Sequence, residues 1–584
     1  MLQTKTIVLV ALAALALCLH SPVCGEESDP PKDRPNYLII TANDFASAAK
    51  EWADYRAAQG RKVQVMKVGD IATNWGHEFA SVTDIRNSIK GAAGPTISDA
   101  FQVLLIGDAP KDSDKYDPKV ELPWFVTTYK DEQGTLIAGD NYYADLMKDD
   151  EVPEIAVGRI PARTIEEVRL ALEKVKAYEG AKYGEWVKRL TFFAGEGHYG
   201  PMIDSMIEAA FTQFVDEHVD NAYDVRMTYA NLDSPYAWIP SKFSEKVIDE
   251  ANMGSLLLTY IGHGAWDHLD QFVVKVGDKT TTYPILKADD VSKFSIKDGQ
   301  LPVMLIIACD TGWLDAKPEK RCLAERVLFA DNAPVAVIAS SRNSHPYSNM
   351  IVQKGIVQGI ANKKLATLGD AFAYMKRELI LADEPDRAEL ESMAALLMPK
   401  KKERDAKNTA HLHLYNLIGD PGLKLKHPNV TIEASCAVDS MEINAPGKTV
   451  VKVKFGPGLD YEPPNDKRIQ LIERYLALRR SSLKDGQKPV DLTALIGEDA
   501  EKKKTAEDVV ASNHKLANDK FGYRLSVDSV TATKDHALKS FEIMAYADNT
   551  LAPGDYLVKI FALDAKGEHC GFASIPLKVE KKKE

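Results

Sequence analysis

From Asn36 onward the sequence alternates short apolar runs with amphipathic stretches. "PNYLIITANDF" has the unbroken apolar character of a buried strand, "FASAAKEWADYRAAQG" the spacing of a helix closed by Gly60, and "KVQVMKV" returns to a strand. "SVTDIRNSIKGA" is again a helix, and "AFQVLLIGDA" a strand that ends in Gly107-Asp108. Strands separated by helices are joined by crossovers rather than hairpins, so this order predicts a mainly parallel sheet covered on both faces. Between Pro118 and Asp150 the pattern loosens into strand and loop pieces, among them "AGDNYYADL". It resumes with the strand "EIAVGRIPA" and the helix "TIEEVRLALEKVKAYEG", with Thr164 as N-cap and Gly180 as C-cap.

A second α/β series begins at "RLTFFAGEGHYG". It continues through a helix over 203–219, the helix "SKFSEKVIDEANMG", the strands of "LLLTYIGHGAWDHL" and "LPVMLIIACDTGWLD", the helix "RCLAERVLFAD" and the strand "PVAVIASS". Beyond "HLYNLIGDPGLKL" the character changes: "VTIEASCAV", "TVVKVKF" and "APGDYLVKIFAL" alternate apolar and polar residues between Gly, Pro and Asp turns, as a β-sandwich does. The expected units are a signal peptide (1–25), a short lead (26–34), an N-terminal α/β subdomain (35–185), a second α/β subdomain (186–428) and a C-terminal all-β sandwich (429–584). Within the last, Asn465 to Lys520 is helical and charged around "EDAEKKKTAED" and is expected to be a solvated insertion. "PKKKERDAKN" is likewise expected to be a solvated loop.

Composition narrows the function classes. At 584 residues the chain exceeds a single core, and its net charge of −12 offers no basic footprint for nucleic acid. At the N-terminus, Lys5 precedes an apolar run from Ile7 to Leu19 and a small-residue site at Val23-Cys24-Gly25, the layout of a secretory signal with a mature start near Glu26. That run is short for a bilayer span and no other segment suits one, so a secreted, periplasmic or cell-surface protein is expected. Two of the six cysteines lie in the signal, leaving Cys309, Cys322, Cys436 and Cys570, too few for a disulfide scaffold. Cys436 and Cys570 can pair across the C-terminal region or remain core thiols. Cys309 calls for a separate explanation.

Reactive groups of a parallel α/β sheet collect beyond the C-terminal ends of its strands. His263 and Cys309 each follow such an end, and the strand-helix-strand order makes their strands neighbours. An imidazole beside a thiol can take its proton and generate the thiolate, the form that attacks a carbonyl. The glycines around His263 expose the N–H of Gly264, which with the N–H of Cys309 can form an oxyanion hole. The residue types alone also fit a blander account, in which Cys309 is a small buried hydrophobe and His263 a structural turn residue.

The quoted pieces, read together, resemble the gingipain family of cysteine peptidases, of the same clan as the caspases. The resemblance rests on "YLIIT", "VLLIGD", "DNYYADL" followed by "EIAVGRIPA", "GEG", "YIGHGAWD", "IIACDTGWLD" with "CLAERVLFADNAPVAVIASS", and "NLIGDPGLKL", which span Asn36 to Leu425 in order. It implies two tandem caspase-like α/β subdomains, the second catalytic, followed by an immunoglobulin-like sandwich. It further implies Cys309 as nucleophile, His263 as general base and Glu196, in the "GEG" turn, as the acidic partner that orients the imidazole. Protein or peptide substrates follow. No cofactor is required for such chemistry, and the resemblance admits structural calcium without naming a ligand.

The resemblance weakens at the substrate pocket. Family members that select basic side chains do so with an acidic residue after "GEG", but here "HYGPMID" is shorter, and Asp204 belongs more naturally to the following helix. The loop "SSRNSHPYSNM" is expected to line the pocket, with Arg342, His345 and Tyr347 available. No HExxH, GxSxG or phosphate-binding loop is present, and "KDSDKYDPK" lacks the glycine of a calcium loop. The expected activity is a secreted cysteine endopeptidase acting through a Cys-His acyl-enzyme; the alternative is a non-catalytic surface or adhesion protein on the same scaffold.

Overall fold

The computed structural model describes residues 34–98, 100–197, 219–316, 320–381 and 385–436, with shorter runs between 440 and 580. The expected signal peptide and the helix expected from 203, with Asp204, lie outside the described residues. The first α/β series supplies β1 (Tyr37–Thr41), β2 (Val63–Lys67), β3 (Gln102–Ile106), the hairpin β4 (Phe125–Lys130) and β5 (Leu136–Gly139), and β6 (Ala156–Ile160). The second supplies β7 (Arg189–Ala194), β8 (Asp224–Tyr229), β9 (Leu257–Ile261), the small hairpins β10 (Gly264–Ala265) with β11 (His268–Leu269) and β12 (Gln271–Val276) with β13 (Lys279–Pro284), then β14 (Val303–Ile307), β15 (Ala336–Ser340) and β16 (Tyr415–Ile418).

The two series do not form separate sheets. One ten-stranded sheet runs β2-β1-β3-β6-β16-β15-β14-β9-β7-β8 and is mainly parallel, with β15 and β16 antiparallel. The halves meet at a single register pair, Arg159 with Ile418. β1, β3, β6, β14 and β15 are buried along their whole length, as helices on both faces require. The helix Ile165–Gly180 begins at the expected Thr164 cap, whose hydroxyl accepts the Glu167 N–H at 3.2 Å while the Glu167 carboxylate accepts the Thr164 N–H at 3.3 Å.

Two buried ion pairs brace the sheet, one within the first series and one between the two series. Arg159 is fully buried and forks onto Asp140 at 2.7 and 2.8 Å. Asp420, in "GDPG", accepts from Tyr37 Oη at 2.5 Å, Trp52 Nε1 at 2.8 Å and Arg56 Nη2 at 2.6 Å, joining the end of β16 to the start of β1. The "PKKKERDAKN" stretch is not a loop: it opens the helix Lys401–Leu414, whose apolar face appears only in its last turn.

Beyond β16, the described runs form sheets of four and five strands. The charged insertion is not simply solvated. Its helix Ala500–Asp519 lies against β8, the sheet's last strand, where Asn518 accepts the Met227 N–H at 2.9 Å and returns a hydrogen bond to the Met227 carbonyl at 3.0 Å. Ala506 and Val510 pack on Ile239, and the His514 ring meets Trp238 edge-on. A charge run can face water on one side while its apolar positions cap a sheet edge on the other. The side chain of Cys436 lies outside the described residues, so its pairing with Cys570 stays an expectation. No helix among the described residues is long and apolar enough to cross a membrane.

Candidate active site

β9 lies between β7 and β14, parallel to both, with Ala194, Ile261 and Ile307 at one level. Two residues past that level stand Glu196, His263 and Cys309. The ladder extends beyond the strands: Gly195 N–H donates to the Ile261 carbonyl at 2.9 Å, and Gly262 N–H to that of Ile307 at 3.1 Å. Gly262 has φ +155°, and a Cβ there would stand 2.5 Å from Tyr260 Oη, which itself donates to the His263 carbonyl at 2.9 Å. Only glycine allows this turn, and the turn delivers His263 to the rim.

His263 is exposed, and its Nε2 meets the carbonyl of Gly197 at 3.0 Å. A carbonyl only accepts, so in the neutral ring Nε2 carries the proton and Nδ1 is the basic nitrogen. The "GEG" turn therefore reaches the imidazole through backbone, and half-buried Glu196 stands at the level of His263 on the neighbouring strand.

Cys309 is half-buried. Its Sγ accepts the N–H of Ser344 at 3.3 Å and lies 3.7 Å from the Ser344 carbonyl and 3.9 Å from its hydroxyl. Burial pushes the thiol above its ordinary range; Ser344 works against that rise, and the charges of Asp310 and Asp131 add to it. Asp310, held at φ +58°, is itself pushed up to about 6 by burial and by Asp131. Asp131 sits at the tip of the β4–β5 hairpin, so the first half of the sheet reaches the thiol of the second.

Gly264 plays a packing part that sequence reasoning did not assign. A Cβ there would stand 2.8 Å from Ala308 Cβ, 2.9 Å from Thr311 Cγ2 and 3.1 Å from the Cys309 carbonyl, so the glycine lets the two site turns touch. The pocket residues named from sequence are mostly committed elsewhere. Arg342 is buried, pairs with Asp315 at 2.6 Å and stacks over Trp313; Tyr347 is buried and bonded to Glu391 and Arg387. His345 is half-buried and accepts the Tyr347 N–H at 3.3 Å. Asp131 and Asp310 are the acidic groups beside the thiol; "ACD" displays Asp310 openly, whereas Asp131 reads only as a turn residue. Cys322 is fully buried at the cap of the helix Leu323–Leu328, its N–H donated to Glu325 at 2.8 Å.

Away from the thiol, Asp145, Asp150 and Glu154 bring one carboxylate oxygen each to within 4.8 Å of one another. Asp145 is buried, and its Oδ1 has no hydrogen-bond partner.

A family model described as peptidase family C25 matches residues 30–426. Gingipain R2 of Porphyromonas gingivalis is 22% identical over 416 residues, covering 68% of this chain and 46% of the relative. Gingipain R1 of the same organism is also 22% identical over 416 residues, covering 68% of this chain and 34% of the relative. The chain thus spans less than half the length of these curated relatives. Among solved structures, the Arg-specific cysteine proteinase gingipain R aligns with a TM-score of 0.48 at 17% identity, over 94% of this chain and 99% of that one. The dimeric latent PorU from Porphyromonas gingivalis aligns with a TM-score of 0.31 at 12% identity, over 94% of this chain and 55% of that one. With the family model covering more than half of its length, the chain belongs to peptidase family C25, the gingipain family of cysteine peptidases.

Proposed function

We propose that the chain is a secreted cysteine endopeptidase that cleaves protein substrates through an acyl-enzyme on Cys309. The observation that carries this reading is the shared level of Glu196, His263 and Cys309 beyond three adjacent parallel strands. Burial opposes the thiolate, so the reaction needs a base. With Nε2–H anchored on Gly197, His263 takes the thiol proton on Nδ1 and returns it to the leaving amine. Sγ attacks the scissile carbonyl as the thiolate, the N–H groups of Gly264 and Cys309 receive the oxyanion, and water releases the acid product. Glu196 supports the imidazolium that forms between these steps. Neither Arg342 nor Tyr347 selects the substrate side chain in this reading, because both are already engaged.

Two further expectations belong here. The sheets of four and five strands after β16 are read as an immunoglobulin-like sandwich. Asp145, Asp150 and Glu154 fit a structural calcium, since all offer hard oxygen donors and the buried Oδ1 of Asp145 has no hydrogen-bond partner. Calcium there would neutralise a crowded acidic loop and take no part in the chemistry; a melting temperature lowered by chelation and restored by calcium is the expected result.

The rival, a non-catalytic surface protein, draws on one observation, the raised thiol. Hydrolysis of a mixed peptide pool under reducing conditions separates the two. The enzyme reading expects turnover by the parent and a loss of about a thousand-fold or more in Cys309→Ala and in His263→Ala at unchanged melting temperature, with no additivity in the double variant. Equal cleavage by parent and Cys309→Ala contradicts it.

A further inference from the structure

We propose that the backbone N–H of Ser344 is a fixed donor to the Cys309 sulfur in its thiolate form, and that His411 is the residue that positions it. The inference rests on the peptidase reading and adds to it a second device for making the thiolate, distinct from the base.

The donor sits in the loop after β15, and that loop is held at three consecutive residues. Asn343 donates its N–H and its side-chain amide to Asp131 Oδ2 at 3.3 and 3.2 Å. The Ser344 hydroxyl accepts from Asn349 Nδ2 at 2.8 Å, and Asn349 in turn accepts from Tyr415 Oη at 2.8 Å. The N–H of His345 donates to His411 Nε2 at 2.9 Å.

The last tether constrains the imidazole as well as the loop. His411 is buried in the helix Lys401–Leu414, and its Nδ1 meets the Lys407 carbonyl at 2.7 Å. That carbonyl needs a donor, so Nδ1 bears the proton and Nε2 is left as a pure acceptor. Only the neutral ring serves both partners. The charged and titratable groups around it are His345 and Lys407, and burial holds the ring neutral through the whole working range, at about 3. Losing the acceptor strands a backbone N–H and frees the peptide next to the donor.

A hydrogen bond to a charged form lowers its pKa. Around Sγ the balance is unfavourable without one: burial, Asp310 and Asp131 all oppose the thiolate, and Ser344 is the described group that favours it, through its backbone N–H first and its hydroxyl second. A donor that is held rigidly stabilises charge without having to reorient as the proton leaves.

The test is the pH dependence of iodoacetamide labelling of the Cys309 peptide, followed by mass spectrometry, with a thermal melt for each protein. His411→Leu removes the acceptor, and His411→Gln keeps an acceptor oxygen for the His345 N–H. The labelling midpoint should rise by about one pH unit in His411→Leu and stay within about 0.3 of the parent in His411→Gln. Asn349→Ala cuts the neighbouring tether while keeping both the buried ring and the Ser344 hydroxyl, which itself lies 3.9 Å from Sγ, and should raise the midpoint by a smaller step. In hydrolysis, His411→Leu should lower kcat about ten-fold with KM little changed. A parental midpoint in Asn349→Ala overturns the proposal, whether or not His411→Leu folds; so does a parental midpoint in folded His411→Leu. Labelling reads the thiol directly, so failure of the parent to cleave peptides would refute the peptidase reading while leaving this result interpretable.

Discussion

Three strands of this sheet end in the same local turn, and only one of the three carries proposed chemistry. Ile106-Gly107-Asp108, Ile261-Gly262-His263 and Ile418-Gly419-Asp420 have glycine φ values of +155°, +155° and +157°. Each glycine donates its N–H to the neighbouring strand, to Ile160 at 3.0 Å, Ile307 at 3.1 Å and Arg159 at 2.9 Å. The third residue differs in fate. Asp108 is buried against Arg163 at 2.6 Å, and Asp420 is enclosed by Arg56, Tyr37 and Trp52. His263 emerges exposed, with a carbonyl to orient it and a thiol at the same level of the next strand. The Ile-Gly-X sequence therefore specifies how a strand ends, and the neighbours decide whether the end is a rivet or a reagent.

Substitutions at the third residue and at the glycine sharpen that contrast. Asp420→Ala strips Tyr37, Trp52 and Arg56 of a shared acceptor, leaving Arg56 paired with Glu179 alone, and should cost about 3 kcal/mol in denaturant unfolding, with activity per folded molecule unchanged. Activity lost in step with a small stability change would break the contrast by making Asp420 part of the site. Gly262→Ala introduces a Cβ 2.5 Å from Tyr260 Oη and should cost about 1–3 kcal/mol. Unlike Asp420→Ala, it should also lower kcat in the molecules that remain folded, because the His263 turn shifts. Parental kcat there would show that the turn geometry is irrelevant to the chemistry.

A smaller effect concerns the charge beside the thiol. Asp310 has a folded pKa raised to about 6, so its favourable contribution is present below its unfolded value and is lost as pH rises through about 6. Above that pH its carboxylate opposes the thiolate. Asp310→Asn should lower the Cys309 labelling midpoint and flatten the decline of stability between pH 4 and 6. A midpoint that rises instead would mean that Asp310 supports the thiolate.

Much of the sheet was legible because its strands are unbroken apolar runs with glycine at their ends; Tyr37–Thr41, Leu257–Ile261 and Val303–Ile307 are all of this kind. The same runs made His263 and Cys309 visible, since nothing in packing asks for an imidazole between two glycines. The helices between Pro346 and Leu414 were harder. Pro346–Val357 is buried almost all round, with Gln353 and Lys354 inside, so it shows no polar stripe. Lys401–Leu414 shows its charged turns first and its buried residues last. The merging of two series into one sheet depends on a single pair, Arg159 with Ile418, which leaves no periodic trace. The donor to Cys309 was hidden for another reason: it is backbone, placed by Asp131 and His411 from distant parts of the chain. Side-chain motifs cannot announce a backbone N–H.

The most direct test of the account asks whether the His263 turn arms the thiol of the neighbouring strand. The measurement is the rate of iodoacetamide labelling of Cys309 against pH in the parent and in His263→Ala, with buried Cys322 as the internal reference. The account predicts fast labelling of the parent near neutral pH and, in His263→Ala, a rate at least about ten-fold lower that recovers only at alkaline pH, with Cys322 inert in both. Superimposable profiles for the two proteins would contradict it.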